Sequence, residues 1–123
     1  MTQRRVLVVD DDPAIRLVTK RMLKNMQCEA YEAKDGVEGE RLANELLPDL
    51  VLLDIMMPLQ DGYETCARLR RGGYMGRIVL FSALMRDNER NRAKVAGATG
   101  YIQKPVTREE LEQYLEGFTE PQV

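Results

Sequence analysis

Five polar residues stand directly behind short apolar runs. Asp10 and Asp11 follow Val6-Leu7-Val8-Val9, Asp54 follows Leu50-Val51-Leu52-Leu53, Ser82 follows Ile78-Val79-Leu80-Phe81, and Lys104 follows Gly100 to Gln103. Carboxylates brought together without a counter-charge repel one another and take up protons. A hard divalent cation resolves that conflict, and oxygen-only ligands with room for water suit Mg²⁺ better than a transition metal. Lys104 adds a fixed positive charge. Such a site can hold a dianionic phosphoryl group near a carboxylate, which is itself a competent nucleophile. Mg²⁺, Lys104 and the Ser82 hydroxyl would share the charge on the phosphoryl oxygens.

Each residue also has a plainer reading. Asp12 reads as a helix cap rather than a ligand, and Asp10 or Asp11 alone could be a turn carboxylate. Ser82 alone is a weak signal, and Lys104 alone could be a surface lysine, although Pro105 directly after it restricts its backbone. Met56-Met57 reads as packing or lining rather than metal binding.

What argues for convergence is the order of elements. Runs that are apolar at every position read as strands buried on both faces, hence a parallel sheet covered by helices on each side. Cys28 to Ala33 reads as an edge strand and Gly100 to Gln103 as a short fifth one. Between them lie segments of helical period. Asp12 caps the first, Pro13 occupies its first position, and Ile15, Val18, Met22 and Met26 form its apolar stripe. Gly39, Leu42, Ala43 and Leu46 mark the second helix, which stops before Pro48. Tyr63, Cys66, Ala67 and Arg70 lie on one face of the third, which ends at Gly72-Gly73. The fourth, around Arg86 to Arg92, has no apolar stripe; only Met85, Ala93, Val95 and Ala96 offer anything to bury, which predicts low local stability. Thr107 and Glu110 form a capping box for the last, with Leu111, Tyr114, Leu115 and Phe118 as its stripe. The alternation βαβαβαβαβα gives a doubly wound α/β sheet with right-handed crossovers. All strands of a parallel sheet point their C-terminal ends at one edge, where ligands bind. The topology would therefore gather Asp10, Asp11, Asp54, Ser82 and Lys104.

Composition narrows the remaining choices. The chain has 123 residues, which is one domain, with no linker, repeat or low-complexity segment. Its net charge is −2, and it has no Trp and two Phe, so neither a basic nucleic-acid surface nor a base-stacking platform is expected. It contains no His, which excludes histidine acid–base catalysis, histidine metal sites and storage of a phosphoryl group on a histidine of its own. Cys28 and Cys66 belong to no C-x-x-C pair and read as reduced, partly buried thiols. The segment before the first strand is too short for a signal peptide and no stretch approaches a membrane span, so the expected location is the cytoplasm. There is no G-x-x-x-x-G-K-[ST] or G-x-G-x-x-G, so no nucleotide-binding loop is indicated.

Taken in order, Val8-Val9-Asp10-Asp11-Asp12-Pro13, Leu53-Asp54-Ile55-Met56-Met57-Pro58 with Asp61-Gly62, Phe81-Ser82-Ala83 and Ala96-Gly97-Ala98-Thr99-Gly100-Tyr101-Ile102-Gln103-Lys104-Pro105 resemble the receiver domain of bacterial two-component response regulators. The motifs cover nearly the whole chain, and five of them in register are specific. The resemblance implies a flavodoxin-like (βα)5 sheet of strand order 2-1-3-4-5, with residues 1–123 forming one receiver unit and no output domain. It implies Asp54 as phosphoacceptor, Asp11 as direct Mg²⁺ ligand, Asp10 acting mainly through water, and the Met56 backbone carbonyl completing the set. Ser82 would contact the phosphoryl group and Lys104 would pair with it, its bond to Pro105 being cis. Tyr101 stands where the family carries an aromatic that turns inward on activation as the hydroxyl residue moves. The phosphodonor would be a histidine kinase or a histidine phosphotransfer protein. The readout would be the face of helix four, strand five and helix five, acting on a downstream protein. The chain would be a monomer or a weak phosphorylation-dependent dimer, catalysing only its own phosphorylation and dephosphorylation. Val106 replaces the Phe that many relatives carry after Lys-Pro, which implies looser packing there. Met56 and Leu84, apolar where fast-dephosphorylating relatives carry polar groups, imply a phosphoryl group lasting minutes or longer.

Three other readings compete. A Mg²⁺-dependent phosphohydrolase of small phosphoesters would use the same carboxylates, but there is no insert large enough to enclose a substrate. A flavin-binding domain of similar topology would need a Ser/Thr/Gly-rich phosphate loop after strand one, where Asp10-Asp11-Asp12 would instead repel the cofactor. A receiver acting only as a scaffold is disfavoured because every site residue is present.

Overall fold

A computed structural model describes residues 3–83 and 87–116. The elements run β1 (Arg5–Val9), α1 (Pro13–Asn25), β2 (Glu29–Ala33), α2 (Gly36–Leu46), β3 (Leu50–Asp54), α3 (Gly62–Arg71), β4 (Arg77–Ser82), α4 (Asp87–Ala96), β5 (Gly100–Gln103) and α5 (Arg108–Leu115). The five strands form one sheet of order β2-β1-β3-β4-β5, with every pairing parallel. The expected doubly wound fold and strand order are both present.

Alternation along the strands sorts the core into two layers. Leu7, Val9, Val51, Leu53, Ile78 and Leu80 face α2, α3 and α4, where they meet Ala43, Cys66, Leu69 and Ala93. Val6, Val8, Leu50, Leu52, Val79 and Phe81 face α1 and α5, where they meet Leu23, Leu111 and Leu115. Burial on both faces explains the four consecutive apolar residues of each of β1, β3 and β4, Val6 to Val9, Leu50 to Leu53 and Ile78 to Phe81. Both free cysteines are buried, each in one of these layers. Burial pushes the Cys66 thiol up to about 11, so it stays protonated and unreactive.

The helix starts match their sequence signals. The Asp12 carboxylate accepts from the Ala14 N–H at 2.9 Å, with Pro13 in the first position. Asp35 and Asp61 cap α2 and α3 in the same way, and Thr107 and Glu110 form the full capping box of α5. The α1 stripe requires correction. Its buried residues are Thr19 and Leu23; Ile15, Met22 and Met26 flank them, and Val18 is 60% exposed. Val18 precedes Thr19 by one position, about 100° around the helix, and so leaves the sheet. On α3 the buried arc is Thr65, Cys66 and Leu69, with Tyr63 and Ala67 only partly covered. On α4, Ala93 is buried and Ala96 partly so, but Val95 is 89% exposed. Cys28 precedes β2 rather than opening it. Leu84, Met85 and Phe118 lie outside the described residues. No helix among the described residues is long and apolar enough to cross a membrane.

Gly62 opens α3 directly against β3. A Cβ there would lie 2.4 Å from the Asp54 carbonyl oxygen and 2.8 Å from Ile55 Cα, both backbone atoms that cannot move alone. Gly62→Ala is expected to destabilise the fold by about 1–3 kcal/mol, the ordinary cost of overpacking. A lower urea midpoint at unchanged slope checks this, and an unchanged midpoint would contradict it.

Candidate functional site

The C-terminal ends of β1, β3, β4 and β5 enclose a cavity of about 480 Å³. Asp10, Asp11, Asp54, Met56, Ser82 and Lys104 all line it, so the sheet gathers every strand-end residue singled out in the sequence. Asp10 and Asp54 continue the alternation of Val8 and Leu52, and Lys104 that of Ile102. These three therefore emerge toward α1 and α5, and Lys104 Nζ lies 4.7 Å from the centre of the Phe81 ring.

Lys104 joins the two buried acids. Its Nζ donates to Asp10 Oδ2 at 2.8 Å and to Asp54 Oδ1 at 3.2 Å. The acids are almost wholly enclosed, with side-chain exposures of 1% and 6%, and the lysine is 16% exposed. Asp10 is fixed further by the Asp12 N–H, which donates to its Oδ1 at 2.8 Å. Burial alone would make the Lys104 ammonium easier to deprotonate. The hydrogen bond to Asp10 and the charges of Asp54 and Asp10 outweigh it and hold the lysine protonated. The Lys104-Pro105 bond is cis, as expected.

The three aspartates offer carboxylate oxygens that all lie within 4.8 Å of one another, with Asp10 and Asp54 buried and Asp11 exposed. An oxygen-only donor set, dense in negative charge and open on one side, fits a hard divalent cation. Met56 is 77% exposed at the mouth of the cavity, while Met57 packs against the core.

Ser82 follows Ile78 and Leu80 in alternation and so belongs to the α4 side. Its hydroxyl is hydrogen-bonded to Tyr101, whose own hydroxyl donates to Glu89 Oε2 at 2.6 Å. The Tyr101 ring packs against the core layer under α4. Burial, with Glu89 accepting from the phenol, raises its pKa.

Residues 6–116 match the family described as "Response regulator receiver domain". The chain belongs to the receiver family of two-component response regulators. It is 34% identical to the chemotaxis protein CheY of Halobacterium salinarum, over 83% of this chain and 85% of that protein. It is 37% identical to the DNA-binding dual master transcriptional regulator RpaA of Synechocystis, over 87% of this chain but 45% of that one. The chain thus spans about half the length of several curated relatives it matches. The BeF3-activated N-terminal receiver domain of Klebsiella pneumoniae RstA superposes with a TM-score of 0.86 at 30% identity, covering 96% of this chain and all of that one. Receiver domains are switches in phosphorylation-based signalling rather than enzymes in the ordinary sense, and phosphorylation with Mg²⁺ binding is typical of them.

In this receiver the Asp54 carboxyl is pushed up to about 6, chiefly by burial, then by the charge of Asp10; Lys104 opposes both. The metal-free folded chain therefore keeps a proton between pH about 4 and about 6 that the unfolded chain releases. Its stability falls as pH rises through that window, because the folded state binds more protons. Metal-free Asp54→Asn is expected to be more stable than the wild type above pH 6, by roughly 2–3 kcal/mol, with the difference vanishing below pH 4. Urea melts across this range, with chelator present, read the effect. A wild type at least as stable as Asp54→Asn at pH 7.5 would contradict it.

The cavity wall also holds Asp61, Tyr63, Glu89 and Arg92, which were not singled out as site residues in the sequence. Asp61 caps α3, Tyr63 is the second residue of that helix, and Glu89 is the third of α4. In a parallel α/β sheet the first turn of every helix starts at the edge where the strands end. That rule is a usable signal, and it would have flagged all but Arg92, which lies one turn further on.

Proposed function

We propose that this receiver domain accepts a phosphoryl group on Asp54, with Mg²⁺, from a phosphohistidine of a partner histidine kinase or histidine phosphotransfer protein. One observation carries the reading: Lys104 bonds Asp10 and Asp54 together at 2.8 and 3.2 Å inside a trio of carboxylates. An Asp54 oxygen attacks phosphorus; the O–P bond forms as the donor's P–N bond breaks, and the electron pair leaves with the imidazole nitrogen. Bound Mg²⁺ supplies charge neutralisation for the phosphoryl oxygens. Asp10, Asp11 and the Met56 carbonyl would hold it, together with Asp54. Lys104 is already protonated and aimed at Asp54, so it can pair with a phosphoryl oxygen without reorganising. The Ser82 hydroxyl turns from Tyr101 to another phosphoryl oxygen.

Loss of that bond loosens Tyr101, and the change passes to a downstream protein at the face of α4, β5 and α5. Arg90, Lys94, Tyr101 and Tyr114 surround a hollow of about 210 Å³ on this face. The test is incubation with Mg²⁺ and acetyl phosphate followed by intact mass. One phosphoryl adduct is expected, and none when the metal is chelated. Adduct formation that ignores chelation would remove Mg²⁺ from the reading.

Met56 places an apolar side chain at the cavity mouth, where a water must enter to attack the acyl phosphate. The adduct is therefore expected to persist for minutes or longer after removal of acetyl phosphate. Decay within seconds would count against this, and Met56→Asn is expected to shorten the lifetime.

A further inference from the structure

On the α4 side of the cavity one carboxylate faces two phenols. Glu89 accepts from the Tyr101 hydroxyl of β5 at 2.6 Å. The second phenol is Tyr63 of α3. Its hydroxyl oxygen is buried without a hydrogen-bond partner, the one such side-chain atom among the described residues. Arg92, one turn beyond Glu89, lies 4.2 Å from the centre of the Tyr63 ring, so α4 already packs on that residue. Tyr63, Glu89, Arg92 and Ser82 line one cavity wall together. Burial raises the Tyr63 phenol's pKa, and Glu89 is the charge that adds most to the effect, so the carboxylate is close enough to be felt there.

A buried hydroxyl with no partner is unfavourable, and such a group calls for an explanation. A second arrangement that satisfies it is one. The helix that would have to move is suited to moving. Among its described residues only Ala93 is a buried apolar side chain, so polar contacts contribute much of its attachment.

We propose that Glu89 is the positioning residue of this switch: it ties α4 to Tyr101 on β5 before phosphorylation and exchanges that donor for the Tyr63 hydroxyl on α3 afterwards. The exchange rests on the phosphorylation reading above. When Ser82 turns to the phosphoryl group it vacates space beside Tyr101. A phenol that enters this space leaves Glu89, and Tyr63 supplies the replacement. One carboxylate hydrogen bond is kept throughout, and a buried hydroxyl gains a partner. The two positions are thus discrete alternatives, as a two-state element requires.

The experiment follows the ring signals of Tyr31, Tyr63, Tyr74, Tyr101 and Tyr114 in carbon–proton correlation spectra, assigned by single Tyr→Phe substitutions. Wild type, Glu89→Ala and Glu89→Gln are compared before and after loading with Mg²⁺ and acetyl phosphate, with intact mass taken on every sample. In the wild type both Tyr101 and Tyr63 should shift on loading. In Glu89→Ala the Tyr101 signal should be displaced before loading, and the Tyr63 response should be lost. Glu89→Gln keeps an accepting oxygen and should restore that response. An adduct on the wild type with a silent Tyr63, or a Tyr63 response of equal size in Glu89→Ala, would overturn the exchange alone. Absence of any adduct on the wild type would overturn the phosphorylation reading instead.

Discussion

Asp54→Ala protein treated with Mg²⁺ and acetyl phosphate will gain no mass, where the wild type gains one phosphoryl group. The expectation follows from how differently the three acids are held. Asp10 is fully buried, and its two oxygens are taken by the Asp12 N–H and by Lys104 Nζ. Asp11 is exposed, and neither ion pair of Lys104 involves it. Asp54 has one oxygen on Lys104, at the longer distance of 3.2 Å, and it lines the cavity. Of the two acids bonded to Lys104, Asp54 is the one whose second oxygen accepts no hydrogen bond among the described residues. Activation of a nucleophile by proximity and charge is lost entirely when the nucleophile is removed, so the expected effect is all-or-none rather than graded. Equal addition to Asp54→Ala and wild type, or addition to neither, would refute the assignment.

Lys104→Ala is expected to slow adduct formation by about 100-fold or more, the range seen when a fixed electrostatic group is taken from a transition state. It would also leave Asp10 and Asp54 buried side by side without their cation. Removing one partner of a buried ion pair costs about 3–5 kcal/mol, so metal-free Lys104→Ala should melt well below the wild type near neutral pH. Acid would recover part of this loss by protonating Asp54. Lys104→Arg is not expected to restore the rate. The ammonium sits between two carboxylates over the Phe81 ring with 16% of its side chain exposed, and a planar guanidinium has a different shape and reach. Kinetics of mass gain and thermal melts with and without Mg²⁺ separate the two effects. A Lys104→Ala protein loaded at the wild-type rate would remove the lysine from the chemistry.

The residues legible in advance share a property: their position along the chain decides their position in space. β1, β3 and β4 each carry an unbroken run of four apolar residues, which a strand tolerates only when it is covered on both faces, and the doubly wound sheet follows from that. The caps at Asp12 and Thr107 are likewise local, since each side chain bonds a backbone N–H within three residues. The gathering of Asp10, Asp11, Asp54, Ser82 and Lys104 needs only parallel strands ending at one edge. The α1 stripe was misread because Val18 and Thr19 are neighbours in sequence, and apolarity favoured the wrong one; the face was chosen by Leu23 packing on the sheet.

What the sequence determined by itself is therefore the fold class, the gathering of the strand-end residues and the family. Tertiary structure alone decided which oxygen of which acid Lys104 holds, how far burial lifts the Asp54 carboxyl, and that Glu89 takes the Tyr101 hydroxyl while the Tyr63 hydroxyl is buried without a partner. Those are properties of distance and dielectric between elements up to 94 residues apart in the chain. Periodicity can place a side chain on a face, but the charge that it meets there depends on packing across several elements at once.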